Sequence, residues 1–212
     1  MAEVVMILGE SGSGKSASLQ NFKAGEVCVL NVAGKRLPFR NDWGQNVLDA
    51  SGFRDRYSTI AKAVQKPAYK RYVIDDSQYL MAFDAFDRAK ETGYGKFVDM
   101  AQSFYRLIMA CKAAPADTII YFLHHIEKDE DGLIKPKTQG RMLDEKLNVA
   151  GLFTTVLLCQ PDQEGYWFRT KTDGMSVVKS PMGMFDDEKI PNDLKLVDTT
   201  IRAYYGMEEN KT

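Results

Sequence analysis

The stretch VVMILGESGSGKS, residues 4–16, decides how the rest of this sequence is interpreted, because a complete G-x-x-x-x-G-K-[ST] motif follows directly on an apolar run. The run at 4–8 predicts a short buried strand of a parallel sheet. After the motif, Ala17, Leu19 and Phe22 are spaced as on one face of a helix, which predicts a helix over 16–22. A strand, a glycine loop and a helix in this order are the context in which the motif predicts phosphate binding.

The chemistry of the motif explains why these residue types are needed. Glycines allow successive backbone N–H groups to surround an anion, and a helix N-terminus adds partial positive charge. Lys15 is expected to reach the β- and γ-phosphates, and the Ser16 hydroxyl to ligate Mg²⁺. The expected nucleotide contacts are Gly9, Glu10, Ser11, Gly12, Ser13, Gly14, Lys15, Ser16 and Ala17. The alternative is a glycine-rich turn that binds no ligand.

Composition sets the limits of the interpretation. The 212 residues carry a formal net charge of −1, which fits one domain with a substantial core and argues against a globally basic nucleic-acid binder. We expect a single domain over 1–205 and a short polar tail over 206–212. The three cysteines are far apart and lie in apolar surroundings, so we expect reduced, buried thiols. No signal peptide and no membrane-spanning segment is recognised, which predicts a soluble, cytoplasmic protein.

The remaining predicted elements alternate between strands and helices. Apolar runs predict strands at 27–32, 72–76 and 118–123. Helical spacing predicts helices at 58–64, 78–90, 97–111 and near 141–149. Loops are expected at 34–56, 91–95 and 127–139. Antiparallel strands around a Thr-Asp-Gly turn are expected at 154–158, 166–171 and 175–179. The order predicts an α/β fold with a mostly parallel sheet and a C-terminal antiparallel hairpin extension.

Two adjacent carboxylates end the predicted strand at 72–76. Asp75, at the end of a strand expected to lie beside the glycine loop, is predicted to support Mg²⁺ through a bound water. Two interpretations remain open for Asp76. It is either the general base that polarises the attacking water, or the N-terminal cap of the helix that follows.

The only two histidines, His124 and His125, end the strand predicted next to that of Asp75. One of them could contact the γ-phosphate and report its presence, and we favour His125. Adjacent residues of a strand point to opposite faces, so both cannot serve equally. The alternative is that the pair ends the strand and hydrogen-bonds to neighbours. A metal site is not expected, because no further ligands lie at suitable spacing.

Taken together, these motifs resemble the RecA-like phosphate-loop ATPases, and more narrowly the small phage-encoded ATPases of single-strand annealing and recombination. The resemblance rests on GESGSGKS at 9–16, VIDDSQYL at 73–80, IIYFLHHIE at 119–127, KPKTQGRM at 135–142 and VVKSPMGMF at 177–185. It implies a three-layer RecA-like fold, Mg-ATP hydrolysis, a homo-oligomeric ring or filament, and a role in recombination, repair or replication of DNA. For a phage-encoded protein the compartment is the host cytoplasm.

The resemblance also assigns roles to individual residues. Lys15 and Ser16 match the phosphate and metal ligands, Asp75 the metal-supporting aspartate, and His125 a polar γ-phosphate sensor. RecA proteins place a catalytic glutamate just after the second strand, whereas residues 31–35, NVAGK, contain no acid. This difference either slows hydrolysis or leaves the base role to Asp76.

In the family, the loops after the acidic strand and after the sensor strand face DNA, and a cation from the C-terminal hairpin reaches a neighbour's ATP. The possible contacts to single-stranded DNA are Tyr94, Lys96, Lys135, Lys137 and Arg141. The possible trans-acting cations are Arg169, Lys171 and Lys179. For the loops the alternative is a solvated surface of mixed charge, and for the hairpin cations it is an ordinary exposed strand face.

Three functions remain compatible with the motif, since all of them use the same loop. The first is an ATPase of DNA metabolism. The second is a nucleotide-dependent switch or loader that hydrolyses slowly, which the missing glutamate favours. The third is a small-molecule kinase, for which Arg141 alone would be a poor lid.

Overall fold

The fold is described from a computed structural model for residues 1–66, 68–139 and 147–207. Its α-helices are α1 Arg56–Val64, α2 Gln78–Asp87, α3 Gly95–Lys112 and α4 Leu194–Tyr205. Its strands are β1 Glu3–Gly9, β2 Cys28–Asn31, β3 Val47–Asp49, β4 Arg71–Asp75, β5 Ile119–Lys128, β6 Ile134–Pro136, β7 Thr155–Asp162, β8 Gly165–Arg169 and β9 Lys189–Pro191.

The strands form one mixed sheet in the order β3-β2-β4-β5-β1-β7-β8-β9, and β6 pairs with the far end of β5. Pairing is parallel from β3 to β7 and antiparallel between β7, β8 and β9. The predicted α/β class with a mostly parallel sheet is therefore confirmed, as is an antiparallel C-terminal extension. All carboxyl ends of the parallel strands meet at one edge of the sheet, which we call the carboxyl edge.

Both faces of the sheet are covered, which explains the continuous apolar runs of its central strands. Val4, Met6 and Leu8 of β1 pack in a cluster with residues of α1, α2 and α3. Val5 and Ile7 pack on the opposite face, in a cluster with the apolar side of α4. Within the described part of the chain, no helix is long and apolar enough to cross a membrane.

The prediction of a helix over 16–22 is wrong, because the helical segment is shorter and of a different type. Only a 3₁₀ turn, Ser16–Leu19, follows the glycine loop. Serine and asparagine in this segment are weak helix formers, and the chain turns again at Gly25, which has a φ of +85°. Leu19 and Phe22 are nevertheless buried. The apolar spacing therefore identified side chains that enter the core, but it did not predict the backbone conformation of the segment.

Two predicted loops contain strands. Residues 34–56 include β3, which pairs in parallel with β2 at the edge of the sheet. The expected loop at 127–139 is a β-hairpin, because β5 continues past the histidines and pairs with β6 from Ile126↔Pro136 to Lys128↔Ile134. The hairpin carries charged side chains on both faces because both are partly exposed at the carboxyl edge. Its sequence therefore lacks the apolar alternation that predicts a strand.

The C-terminal third differs most from the sequence-based expectation. The hairpin turns between β7 and β8, and its third strand is β9 rather than 175–179, which makes only isolated bridges at Ser176 and Lys179. Asp173 holds the local turn instead, by accepting from the backbone N–H of Met175. Of the helix predicted near 141–149, residues 141–146 lie outside the described residues, and Val149–Leu152 is a 3₁₀ turn.

Helix α4, which the sequence analysis did not predict, is attached to the sheet through a buried charged group. The Asp198 carboxylate is fully buried and contacts Arg71 Nε of β4 at 2.5 Å and Arg202 Nε at 3.0 Å. The Tyr121 hydroxyl of β5 donates to the other oxygen of the Asp198 carboxylate at 2.9 Å. Burial raises the pKa of Tyr121 well above its ordinary value, so the phenol stays a donor. This group fixes α4 against the two central strands.

Candidate nucleotide-binding site

A cavity of about 340 Å³ lies at the carboxyl edge, where β1 and β4 end and β5 passes with His125. This is the position at which open α/β sheets bind their ligands. Its lining residues are Ser11, Gly12, Gly14, Lys15, Ser16, Ala17, Lys35, Arg36, Pro38, Asp75, Asp76, His125 and Tyr166. The structure therefore brings together residues from the glycine loop (9–16), the acidic pair and the sensor strand, as the sequence predicted.

The glycine loop can adopt its path only with glycines at particular positions. A Cβ on Gly9 would lie 2.4 Å from Ser13 Oγ and 2.8 Å from the Cys159 carbonyl oxygen. Gly14 has a φ of +99°, and a Cβ there would approach the side chains of Asn192 and Tyr166 within 3 Å. Gly12 also has a positive φ but faces open space. Two glycines permit close packing under the loop, and the third leaves the cavity side free.

Lys15 is held inside this loop. Its Nζ donates to the carbonyl oxygens of Gly9 at 2.8 Å and Glu10 at 2.7 Å, and the residue is only 5% exposed. Burial lowers the pKa of its ammonium, although nearby anionic groups partly offset the effect. An ammonium has three N–H donors, so two carbonyls leave one for another acceptor.

Ser16 and Asp75 meet although they come from distant parts of the sequence. Ser16 Oγ donates to Asp75 Oδ1 at 2.9 Å. The Asp75 strand therefore ends beside the glycine loop as expected, and β4 pairs with β5, the strand of the two histidines, which in turn lies next to β1. The turn at Ser16 crosses over β5 to reach Asp75. Burial and the neighbouring Asp76 raise the pKa of Asp75 to about 6.

These two oxygen groups are adjacent and form a candidate metal site among the described residues of the cavity. Among residues 1–66, 68–139 and 147–207, no group of three or more His, Cys, Asp or Glu side chains could hold a metal ion. A hydroxyl and one carboxylate suit Mg²⁺, which takes few protein ligands and completes its shell with water and phosphate oxygens.

Asp76 has an unusual backbone and a buried side chain with two partners. Its φ of +57° is in the left-handed region, which is costly for a residue other than glycine. Its Oδ2 lies 2.5 Å from Lys35 Nζ, and its Oδ1 lies 3.1 Å from His125 Nε2. Burial raises the pKa of Asp76, but the bonds from His125 and Lys35 outweigh burial and hold that pKa below its ordinary value. The side chain does not cap α2, whose first turn has no side-chain cap.

The two histidines have different surroundings. His125 lines the cavity, bonds to Asp76 and packs edge-on against Tyr79 at 5.7 Å between ring centroids. His124 is fully buried; its Nε2 bonds to the Lys137 carbonyl oxygen and its Nδ1 to Ser77 Oγ, each at 2.8 Å. Since a carbonyl can only accept, Nε2 carries the proton, and Nδ1 accepts from the Ser77 hydroxyl. His124 is therefore a satisfied core residue, whereas His125 can reach a ligand.

The four predicted DNA-contacting residues that the structure describes do not line the cavity. Tyr94 is 58% exposed at the start of α3, and Lys137 is exposed just after β6. Lys96 Nζ donates to the Glu91 carbonyl oxygen at 2.9 Å, which closes the α2–α3 loop, and Lys135 pairs with Glu127 at 3.4 Å. Arg141 lies outside the described residues.

The predicted trans-acting cations do not line the cavity either. Arg169 forms an ion pair with Asp173 at 2.5 Å, and Lys171 Nζ donates to the Asp186 carbonyl oxygen at 3.2 Å. Burial lowers the pKa of Lys179, which exchanges two backbone hydrogen bonds with Val156. Two of the three are therefore engaged by their own chain.

Sequence reasoning missed several residues of the site. Lys35, Arg36 and Pro38 come from the segment after β2, and Tyr166 comes from β8. A signal for the first three existed, since β2 is parallel to β4 and must end at the same edge as Asp75. Tyr166 had none, because its contact with the glycine loop depends on the β7–β8 hairpin.

No protein-family model matches this chain, and a comparison with curated proteins finds no match either.

Proposed function

We propose that the chain is an Mg²⁺-dependent ATPase that binds a nucleoside triphosphate in the cavity of the glycine loop. The observation that carries the proposal is the contact of Ser16 Oγ with Asp75 Oδ1 at 2.9 Å, directly beside the buried Lys15. A hydroxyl next to a carboxylate is the ligand pair that supports Mg²⁺ in phosphate-loop enzymes, and the lysine is their phosphate ligand.

The residues present fit both nucleotide and metal. Gly12 leaves the cavity side of the loop open, so backbone N–H groups can approach an anion. Ser16 and Asp75 would hold Mg²⁺, and Lys15 would bind the β- and γ-phosphates. When bound, Mg²⁺ would neutralise charge that develops on the phosphate oxygens. Tyr166, exposed over Gly14, would cover the phosphates on the other side of the loop.

Asp76 and His125 would complete the reaction. Asp76 is the carboxylate of the cavity lining that does not bond to Ser16, so it would be the one available to polarise an attacking water, and its backbone has the left-handed φ of +57°. His125 is bonded to it and could register the terminal phosphate. Because the backbone of Lys137 bonds to both histidines, the segment after β6 is mechanically linked to the sensor strand.

We infer that the ATPase serves recombination, repair or replication of DNA, with single-stranded DNA as its partner. The family resemblance is the main support. The structure adds that the two proposed DNA-facing segments share one edge. The β5–β6 hairpin extends from the carboxyl edge, and α3 ends at the opposite edge, where the Ala2 N–H donates to the Lys112 carbonyl oxygen at 3.2 Å. The start of α3, with the exposed Tyr94, therefore lies on the side of the carboxyl edge.

A specific observation favours a second candidate, a nucleotide-dependent switch with slow turnover. The position after β2 carries Lys35 instead of an acid, and Lys35 forms an ion pair with the remaining candidate base, Asp76. A carboxylate that is bonded to two cationic or donor groups is a weak base. Turnover then depends on how readily Lys35 leaves Asp76.

Phosphate release from ATP, measured with and without single-stranded DNA, tests the proposal. DNA-stimulated release that Lys15→Ala abolishes supports a DNA-coupled ATPase. Tight binding with negligible release in both conditions supports the switch. ADP formation that requires a small acceptor, with the phosphoryl group transferred to that acceptor instead of released, would overturn both in favour of a kinase. Lys23→Ala is the matched control, since this lysine lies near the loop in sequence but does not line the cavity.

A further inference from the structure

The segment after β2 is held in a defined path beside the cavity. The Asn31 side-chain amide donates to the Lys35 carbonyl oxygen, which closes residues 31–35 into a tight turn. The Val32 N–H donates to the Asp75 carbonyl oxygen at 3.2 Å. Gly34 has a φ of +65°, and a Cβ there would lie 2.7 Å from Ser51 Oγ. The turn is therefore fixed to β4 and to the segment after β3.

This turn directs two consecutive cationic side chains, Lys35 and Arg36, into the cavity, and the two differ in their hydrogen-bond and ion-pair partners. Lys35 is paired with Asp76. Arg36 is exposed, lines the same cavity as Lys15 and Ser16, and its side chain has no hydrogen bond or ion pair with any residue the structure describes. Its guanidinium therefore offers all of its five N–H donors.

The charges of the cavity favour an anionic ligand on the side of Arg36. Lys15 is bonded to two loop carbonyls and Lys35 to a carboxylate, so Arg36 is the cation there without an internal partner in the described chain. A planar guanidinium can bind a phosphate group through two parallel hydrogen bonds. Arg36 follows Lys35, the partner of Asp76, in the segment after β2. By contrast, Tyr166, which lies next to Gly14, belongs to β8 on the other side of β1 in the sheet.

We propose that Arg36 binds the terminal phosphate of the nucleoside triphosphate and stabilises its developing charge, as a cation supplied by the same chain. Lys35 is the positioning residue that holds Asp76 beside the terminal phosphate. The proposal rests on the proposed function, and it replaces a cation from a neighbouring subunit. The contacts of Arg169 with Asp173, and of Lys171 with the Asp186 carbonyl oxygen, agree with this assignment, because both cations are engaged within their own chain.

The test compares affinities for ADP and for a non-hydrolysable ATP analogue, both with Mg²⁺. Arg36→Ala should weaken the analogue about tenfold or more and leave ADP within about twofold, because only the analogue carries the terminal phosphate. Arg36→Lys should recover part of the loss. Arg40→Ala is the matched control, since Arg40 is an exposed arginine of the same segment that does not line this cavity. Retained ADP binding shows that the variant is folded.

Turnover gives a second measurement. With Arg36→Ala we expect a loss on the order of 100-fold or more, and wild-type turnover per chain should not depend on protein concentration. Equal loss of affinity for both nucleotides, or none for either, would overturn the assignment of Arg36. So would a large loss of turnover in Arg169→Ala or Lys171→Ala with a rate that rises with protein concentration. If the wild-type chain bound neither nucleotide, the proposed function itself would fail.

Discussion

Acid should destabilise this protein through His124, whose imidazole is fully buried on β5 and packs against Phe104 of α3. Burial lowers the pKa of His124 from 6.5 to about 4. The unfolded chain therefore takes up a proton first as the pH falls. The stabilising contribution of the neutral imidazole is complete above the unfolded pKa, and it is lost as the pH falls from there through the folded pKa.

The magnitude follows from the two pKa values. Each pH unit between them is worth about 1.4 kcal/mol, so the full loss is about 3 kcal/mol. Because the titration is gradual, about 2 kcal/mol should be lost by about pH 5. For a domain of ordinary stability this is a large fraction of the free energy of unfolding.

Urea denaturation at about pH 7.5 and about pH 5 measures this loss. Other groups also titrate, so the decisive quantity is the difference between wild type and His124→Gln, which keeps a donor and an acceptor but cannot be protonated. The variant should lose about 2 kcal/mol less than wild type over this interval. Ile60→Val, a buried change without an ionisable group, should lower stability at both pH values and keep the wild-type pH dependence. Equal pH dependence in wild type and His124→Gln would refute the reasoning.

Three further predictions follow from named contacts. Asp75→Asn should abolish Mg²⁺-dependent phosphate release. Cys111→Ala, on the buried face of α3, is the control and should leave turnover largely intact. Unchanged turnover in Asp75→Asn would mean that the metal lies elsewhere. Gly14→Ala should weaken nucleotide binding in a fluorescence titration, since its Cβ would collide with Asn192 and Tyr166; Gly25→Ala has a similar backbone with open space around it and should bind normally. Asp198→Asn should lower the free energy of unfolding by about 3 kcal/mol in chemical denaturation, because the buried Arg202 and the partly buried Arg71 lose this carboxylate. A change below about 1 kcal/mol would contradict the role given to this group.

The part of the site that could be predicted from sequence comes from elements with a strong local signal. Apolar runs mark β1, β4 and β5, and parallel strands bring their carboxyl ends to one edge. Once the glycine loop was recognised, Ser16, Asp75 and His125 could be expected to converge there, and they do.

What sequence could not provide is pairing order and loop geometry. Hydrophobic periodicity does not say which strand is the neighbour of which, so β5 was expected beside β4, but the strands that flank β1 were not predicted. The turn after β2 depends on the Asn31 side chain and on the left-handed backbone of Gly34, and neither gives a periodic signal. As a result, Lys35 and Arg36 were not recognised as part of the site.

Helix α4 shows a different limit. Its signals were present, with Asp193 as N-terminal cap, apolar residues at 194, 197 and 201, and Gly206 at the C-terminus. Asp198 and Arg202 sit in the same segment and suggest a solvated face, yet they are 0% and 2% exposed. A buried ion pair cannot be distinguished from a surface pair by spacing alone, since i,i+4 charges are common on exposed helices.

Calorimetric titration of the folded chain with Mg-ATP tests the central claim most directly, because it requires neither turnover nor DNA. We expect a saturable heat of binding with one site per chain. The Lys15→Ala variant should show no such heat, and circular dichroism checks that this variant is folded. No heat of binding from the folded wild-type protein over a range of temperatures, or equal binding by Lys15→Ala, would contradict the account.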